Sequence, residues 1–259
     1  MRSLISLVLV IALALAAPAR AQDASQAAEN AANNPLTPEV TINLQDYFVP
    51  SAIGVPGESN QFLLRGLIPV GKFGGIGQLA RFTVPIATTP ALPTGRETAV
   101  GDVTLTDFFV LPGKITFAAG PVLVLPSRND LSLGRWQAGA AGLVVAPQSW
   151  GLLAALVIYQ HSFAAAFGHD EVSLLTFQPI VTYNLPQGFY LRSTGIWTFD
   201  LVHAVSFIPL GIGIGKVVKF GDKITMNAFV EPQYSIAKSG VGAPRWQIFG
   251  GVNFQFAID

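Results

Sequence analysis

The stretch Gly134–Phe163, GRWQAGAAGLVVAPQSWGLLAALVIYQHSF, constrains this chain more than any other. Its middle is apolar enough to cross a membrane, but a transmembrane helix needs about 20 uninterrupted apolar residues. The run breaks at its centre, at Pro147-Gln148-Ser149. On either side lie nine residues, Ala138–Ala146 and Gly151–Tyr159. A membrane β-strand needs about 9–11. Proline lacks an N–H and fixes φ, so it damages a helix and suits a turn. The reading is a β-hairpin in lipid, with Pro147 in its turn.

Composition agrees. Hydrophobic residues make up 51% of the 259 and charged ones 12%, about half the charged share of soluble domains. A soluble protein of this length needs a more charged surface. Basic and acidic residues balance, and no basic patch points to nucleic acid as a partner. Residues 1–21 read as a secretory signal: Arg2, an apolar Leu4–Ala17, then Ala19-Arg20-Ala21 as an A-x-A cleavage site. An uncleaved anchor is the alternative. The absence of cysteine excludes disulfides, thiolate metal sites and N-terminal lipidation. An exported chain of this kind is either periplasmic or a barrel of the outer membrane, with membrane lipid as its surroundings.

Residues 22–38 are polar and rich in Ala and Asn. They could form a short helix, a lumen plug or a disordered lead, and their composition favours disorder. Residues 39–259 form the barrel domain, an all-β, antiparallel transmembrane barrel of about twelve strands. The twelve segments are 39–49, 61–70, 78–87, 102–111, 115–125, 135–146, 151–163, 172–184, 189–200, 205–219, 223–235 and 245–256. Bacterial barrels have even strand numbers, short periplasmic turns and longer external loops. The connections here alternate in that way, apart from the short 201–204. Both chain ends then fall on the periplasmic side.

Within strands the alternation is clearest towards the C-terminus. Leu175, Phe177, Pro179, Val181 and Tyr183 oppose Thr176, Gln178, Thr182 and Asn184. Ile224, Met226, Ala228, Val230 and Tyr234 oppose Thr225, Asn227, Glu231, Gln233 and Ser235, with Phe229 an exception on the polar side. Trp246, Ile248, Val252, Phe254 and Phe256 oppose Gln247, Asn253 and Gln255. A period of two puts each set on one face of a sheet. The polar sets are mostly uncharged, which favours polar-in, apolar-out. Tyr47, Trp136, Tyr159, Phe189, Trp197 and Trp246 near strand ends are candidates for interfacial girdles.

Few motifs carry chemistry. Gly211-Ile212-Gly213-Ile214-Gly215-Lys216 imitates a phosphate loop, but Val217 stands where Ser or Thr is needed and no helix follows. The glycines share one strand face and mean vacated lumen space or a kink. His161 and Ser162 are adjacent on one strand, so they point to opposite faces and cannot act as base and nucleophile. His169 sits beside Asp170 and Glu171 in a loop, and His203 lies in the 201–204 connection. Three isolated histidines make no metal site. No enzyme, cofactor or catalytic residue is expected. The lumen-lining candidates are Arg65, Arg81, Gln178, Arg192, Asn227, Glu231 and Gln247. The charged members either select solutes as pore linings do or pair with one another and fill the barrel.

Several segments resemble a bacterial outer-membrane family: GDVTLTDFFVL from Gly101, GPVLVLPS from Gly120, LGRWQAGAAGLVV from Leu133, QPIVTYNLPQGFYLRS from Gln178 and PLGIGIGKV from Pro209. The family is labelled "MetA-pathway of phenol degradation", and some members carry the name neuromedin U. The resemblance covers most of 40–256 and implies an outer-membrane transporter passing small hydrophobic or aromatic compounds. It carries over no site residues. Gly251-x-x-Phe254-x-Phe256 resembles the terminal signal by which the outer-membrane assembly machinery recognises barrels, although Phe249 stands where a polar residue is expected and Ala257-Ile258-Asp259 follows. Three expectations compete: a passive channel, a non-conducting structural or interaction barrel, and a soluble lipocalin-like binder.

Overall fold

The computed structural model of the chain describes residues 26–91, 95–165 and 170–258. The expected signal segment 1–21, the start of the polar lead and His169 lie outside them. After helix α1 (Gln26–Asn33) the strand segments are β1 (Val40–Ala52), β2 (Ser59–Phe73), β3 (Ile76–Pro90), β4 (Arg96–Val100), β5 (Val103–Leu111) and β6 (Thr116–Leu125). Then come β7 (Arg135–Gln148), β8 (Gly151–Ala165), β9 (Ser173–Asn184), β10 (Phe189–Ser193), β11 (Trp197–Asp200), β12 (Val205–Gly211), β13 (Gly213–Phe220), β14 (Ile224–Ser239) and β15 (Pro244–Phe256). β4–β5, β10–β11 and β12–β13 are each one stave interrupted once, so the wall is a twelve-stranded antiparallel barrel. It closes between β1 and β15, from Val40 opposite Phe256 to Ala52 opposite Pro244. Closure pairs every strand and leaves no edge, the condition for a β-structure in lipid.

The wall's two faces sort as the alternation indicates. Val181, Tyr183, Ile224, Tyr234 and Trp246 are exposed on the outside, while Thr182, Asn184, Asn227, Glu231, Gln233, Gln247 and Gln255 are buried within. Outer aromatics gather at both ends. Phe73 with Phe109 and Trp150 with Tyr183 lie by the tight turns; Phe177 with Trp197 and Tyr234 with Trp246 lie towards the opposite rim. Two carboxylates break the apolar outer pattern, Asp46 and Asp107. Each takes an amide hydrogen bond from the next strand, Asn60 Nδ2 at 2.6 and 2.7 Å and Gln78 Nε2 at 3.0 Å.

Four expectations need correction. Tyr47 belongs to no girdle: it points inward and stacks on Phe249, ring centroids 4.2 Å apart. Pro147 is not in the turn but inside β7, opposite Leu152, with the turn at Ser149-Trp150. The missing N–H costs nothing there, because β6 has already ended, its last pair being Thr116 with Val145. The 88–101 and 236–244 loops are largely strand, since Thr88–Pro90 pair with Arg96–Thr98 and β14 runs on to Ser239. Finally, the lumen wall is not uniformly polar. Val122, Val124, Leu143, Val145, Leu152 and Leu156 point inward and pack into one buried cluster that Leu36 joins.

Candidate functional site in the barrel lumen

The lumen begins with α1, at the end of the barrel where β1 begins and β15 ends. An eight-residue helix is marginal alone, and this one is held by amides of the wall. Its last carbonyls lack helical partners; Ala32 O receives Asn227 Nδ2 at 3.1 Å and Gln255 Nε2 at 3.2 Å. Asn30 donates to Gln148 O at 2.9 Å and accepts from Asn184 Nδ2 at 2.8 Å. Ala32 of α1 belongs to a buried cluster with Tyr47, Tyr190, Val217, Phe229 and Phe249, against which Ala28 packs. An alanine helix fits because it is thin, and the wall's amides supply the specificity.

Next to α1 sits a closed ionic knot. Arg192 on β10 donates from Nε to Glu231 Oε2 at 2.9 Å, with side-chain exposures of 9% and 0%. Glu231 on β14 also accepts from Thr194 N at 2.8 Å, Thr194 Oγ1 at 2.7 Å and Gln233 Nε2 at 2.8 Å. Gln247 in turn donates to Gln233. The Arg192 guanidinium lies 3.6 Å from the Phe229 ring centroid and 5.3 Å from that of Phe249. Such a stack is worth up to about 2 kcal/mol where water is excluded. Thr194 gives its N–H to Glu231 rather than to a neighbouring strand, which accounts for the interruption between β10 and β11.

The glycine-rich stretch serves the same knot. Gly211, Gly213 and Gly215 face inward; a Cβ would fall on Pro232 O and Gln233 at Gly211, on Val230 O and Glu231 at Gly213, and on the Tyr190 ring at Gly215. Ile212 and Ile214 are exposed on the outside. The stretch is therefore a wall thinned to admit large polar side chains. Tyr190 is fully buried there, and its hydroxyl donates to Asn227 Oδ1.

Arg65 and Arg81 stand apart from the knot. Arg65 on β2 donates from Nη1 to Gln45 Oε1 at 2.8 Å, Gln45 is itself tied to Asn253 at 2.9 Å, and Arg65 Nε has no partner. Among the described residues Arg81 on β3 makes no hydrogen bond or ion pair. Both border two lumen cavities, of about 140 Å³ beside α1 and about 180 Å³ beyond it. Gln178 lines both as well and donates to Thr194 O at 3.0 Å.

All seven sequence candidates thus face inward, but they form two groups. Arg192, Glu231, Gln247 and Asn227 are tied to one another and to α1, although Arg192 and Asn227 also border the cavity beside α1; Arg65, Arg81 and Gln178 line both cavities. Sequence reasoning missed Thr194, Tyr190, Phe249 and the role of Phe229. Phe229 and Phe249 are the residues that broke the alternation, and an aromatic on a polar face near an inward arginine is the signal that could have found them. Elsewhere, Ser162 is inward and accepts a hydrogen bond from Val172 N at 3.0 Å, whereas His161 is exposed outside.

No family profile and no curated protein sequence matches the chain. Among solved structures, it is similar to the COG4313 outer-membrane channel from Pseudomonas putida F1, with a TM-score of 0.61, 16% identity, and 87% of this chain and 98% of that one covered. It is also similar to the translocator domain of the autotransporter NalP from Neisseria meningitidis, at a TM-score of 0.50 and 14% identity over 90% and 93% of the two chains. The KdgM porin aligns at a TM-score of 0.43 and 11% identity over 85% of this chain and 99% of that one. At these identities the likeness is one of fold.

Proposed function

We propose that the chain is a passive channel of the bacterial outer membrane, exported by its N-terminal signal, inserted by the outer-membrane assembly machinery and open to small molecules. The observation that carries this reading is the pair of lumen cavities bordered by Arg65, Arg81 and Gln178. A barrel whose interior served only as a core would fill that space or neutralise those charges. The likeness to a solved outer-membrane channel supports the reading at the level of fold. The resemblance of the quoted segments to the phenol-degradation family extends it to small hydrophobic or aromatic solutes. Orientation follows from the connections: the end with the termini and α1 faces the periplasm.

One observation favours the alternative of a non-conducting barrel: α1 is tied into the periplasmic mouth by Asn184, Asn227 and Gln255. Planar-bilayer recording of the full mature chain separates the two. The channel reading expects stepwise single-channel currents from protein that shows heat-modifiable gel migration. Folded protein that stays silent at all voltages would leave the structural barrel standing.

A further inference from the structure

Among the described residues, Arg65 and Arg81 are half-buried lumen charges that no carboxylate answers. Among the described residues neither arginine lies within salt-bridge distance of an Asp or Glu. A guanidinium does not shed its proton at any working pH, so burial cannot neutralise it. Buried charges are normally paired, and Arg192 a few strands away shows that this lumen can pair one. Leaving two adjacent arginines bare is stable only if an anion or water meets them.

The shape around them narrows the choice. On one side of the outer cavity stand the hydroxyls of Thr83, Thr104 and Thr106, donors for an oxyanion. On the other stand Leu156, Ile158 and Ile196, which offer an alkyl or aryl body apolar contact, interleaved with Gln160, Thr176 and Gln178. The space is about 180 Å³, and apolar cavities on the order of 150 Å³ admit a benzene ring. A planar carboxylate also matches the two-pronged donor geometry of a guanidinium, which a spherical halide does not.

We infer that Arg65 and Arg81 form a binding site for the carboxylate of a small organic anion, whose apolar body of about six carbons lies against Leu156, Ile158 and Ile196. The inference rests on the channel reading for its physiological sense and makes this site the selective point of the path. An anion held by one arginine can pass to the other across the boundary of the two cavities, since both arginines border both.

The test uses the full mature barrel in detergent, titrated calorimetrically with hexanoate, hexan-1-ol and inorganic phosphate, beside bilayer recordings with hexanoate on one side. Hexanoate is expected to bind and to interrupt the current. Binding should weaken about tenfold or more in Arg81→Gln and in Arg65→Gln, and less in Arg81→Lys, which keeps the charge but loses the fork. Heat-modifiable migration confirms that each variant is folded. Equal binding of hexan-1-ol, or phosphate binding as tight as hexanoate, would overturn the assignment of an organic carboxylate. A conducting barrel that ignores hexanoate sinks the site and leaves the channel. A silent barrel that binds hexanoate through both arginines does the reverse.

Discussion

Two arginine clusters share one lumen and meet opposite fates. Around Arg192 every strong group is answered: a carboxylate with four donors, two aromatic rings under the guanidinium, and glycines that clear the space. Around Arg65 and Arg81 the same residue type faces amides, hydroxyls and void. The first arrangement is what a barrel does to fill itself. On the channel reading, the second leaves room for a solute to enter. The difference teaches that an inward charge is not by itself a pore lining; what decides is whether the protein supplies its counter-charge.

The sharpest way to break this comparison is Glu231→Ala. Removing one partner of a buried pair leaves the other charge stranded and costs about 3–5 kcal/mol. Thr194 N and Gln233 lose their acceptor as well. The unfolding midpoint in urea, read by gel migration of bilayer-inserted protein, should fall by more than for any other single change considered. The matching change in the open cluster, Arg81→Gln, should cost under about 1 kcal/mol or stabilise, because it removes a half-buried charge that no carboxylate offsets. If both variants lose the same stability, the two clusters are not different in kind.

Asn227→Ala comes next. It removes the acceptor of the buried Tyr190 hydroxyl and one of the two donors to Ala32 O at the end of α1, at a cost of about 1–3 kcal/mol. Because Asn227 ties α1 to the wall, the variant should also raise mean conductance. A stability loss with unchanged current would mean that α1 does not restrict the mouth. Arg192→Lys is smaller again, about 1–2 kcal/mol, since an ammonium keeps the charge but loses the flat stack on Phe229.

How much of this was legible beforehand follows from what each residue sees. Strands β9, β14 and β15 face lipid on one side and polar lumen on the other, so their alternation reads directly. Strands β6 to β8 carry Val, Leu and Ala on both faces, because their inner face seats Leu36 and the apolar cluster; the hydropathy there showed only that the segment was membrane-bound. Beyond the membrane both faces meet water, the period disappears, and Thr88–Pro90 or Ile236–Ser239 look like loop. The inward direction of Arg65, Arg81, Arg192 and Glu231 was legible from parity alone. Which of them pair was not, because Arg192 on β10 meets Glu231 on β14 across Gly213 of the stave between them, a register no single-strand pattern records.

An exposed pair completes the series and should give the smallest effect. In the turn after β11, His203 Nδ1 lies 2.9 Å from Asp200 Oδ2, and its Nε2 lies 3.5 Å from Asp170 Oδ2. The hydrogen bond to Asp200, reinforced by that carboxylate's charge, raises the His203 pKa above the ordinary imidazole value. Its contribution is therefore complete below that ordinary value and is lost as pH rises through the raised one. The side chains are 44% and 28% exposed, so water and salt screen them. The unfolding midpoint should drop slightly as pH rises from below the ordinary imidazole value through the raised one, and the drop should vanish in His203→Gln or at about 1 M salt. Were this pair to matter as much as Arg192 with Glu231, pairing alone would explain the knot, and exclusion of water from the lumen would carry none of its strength.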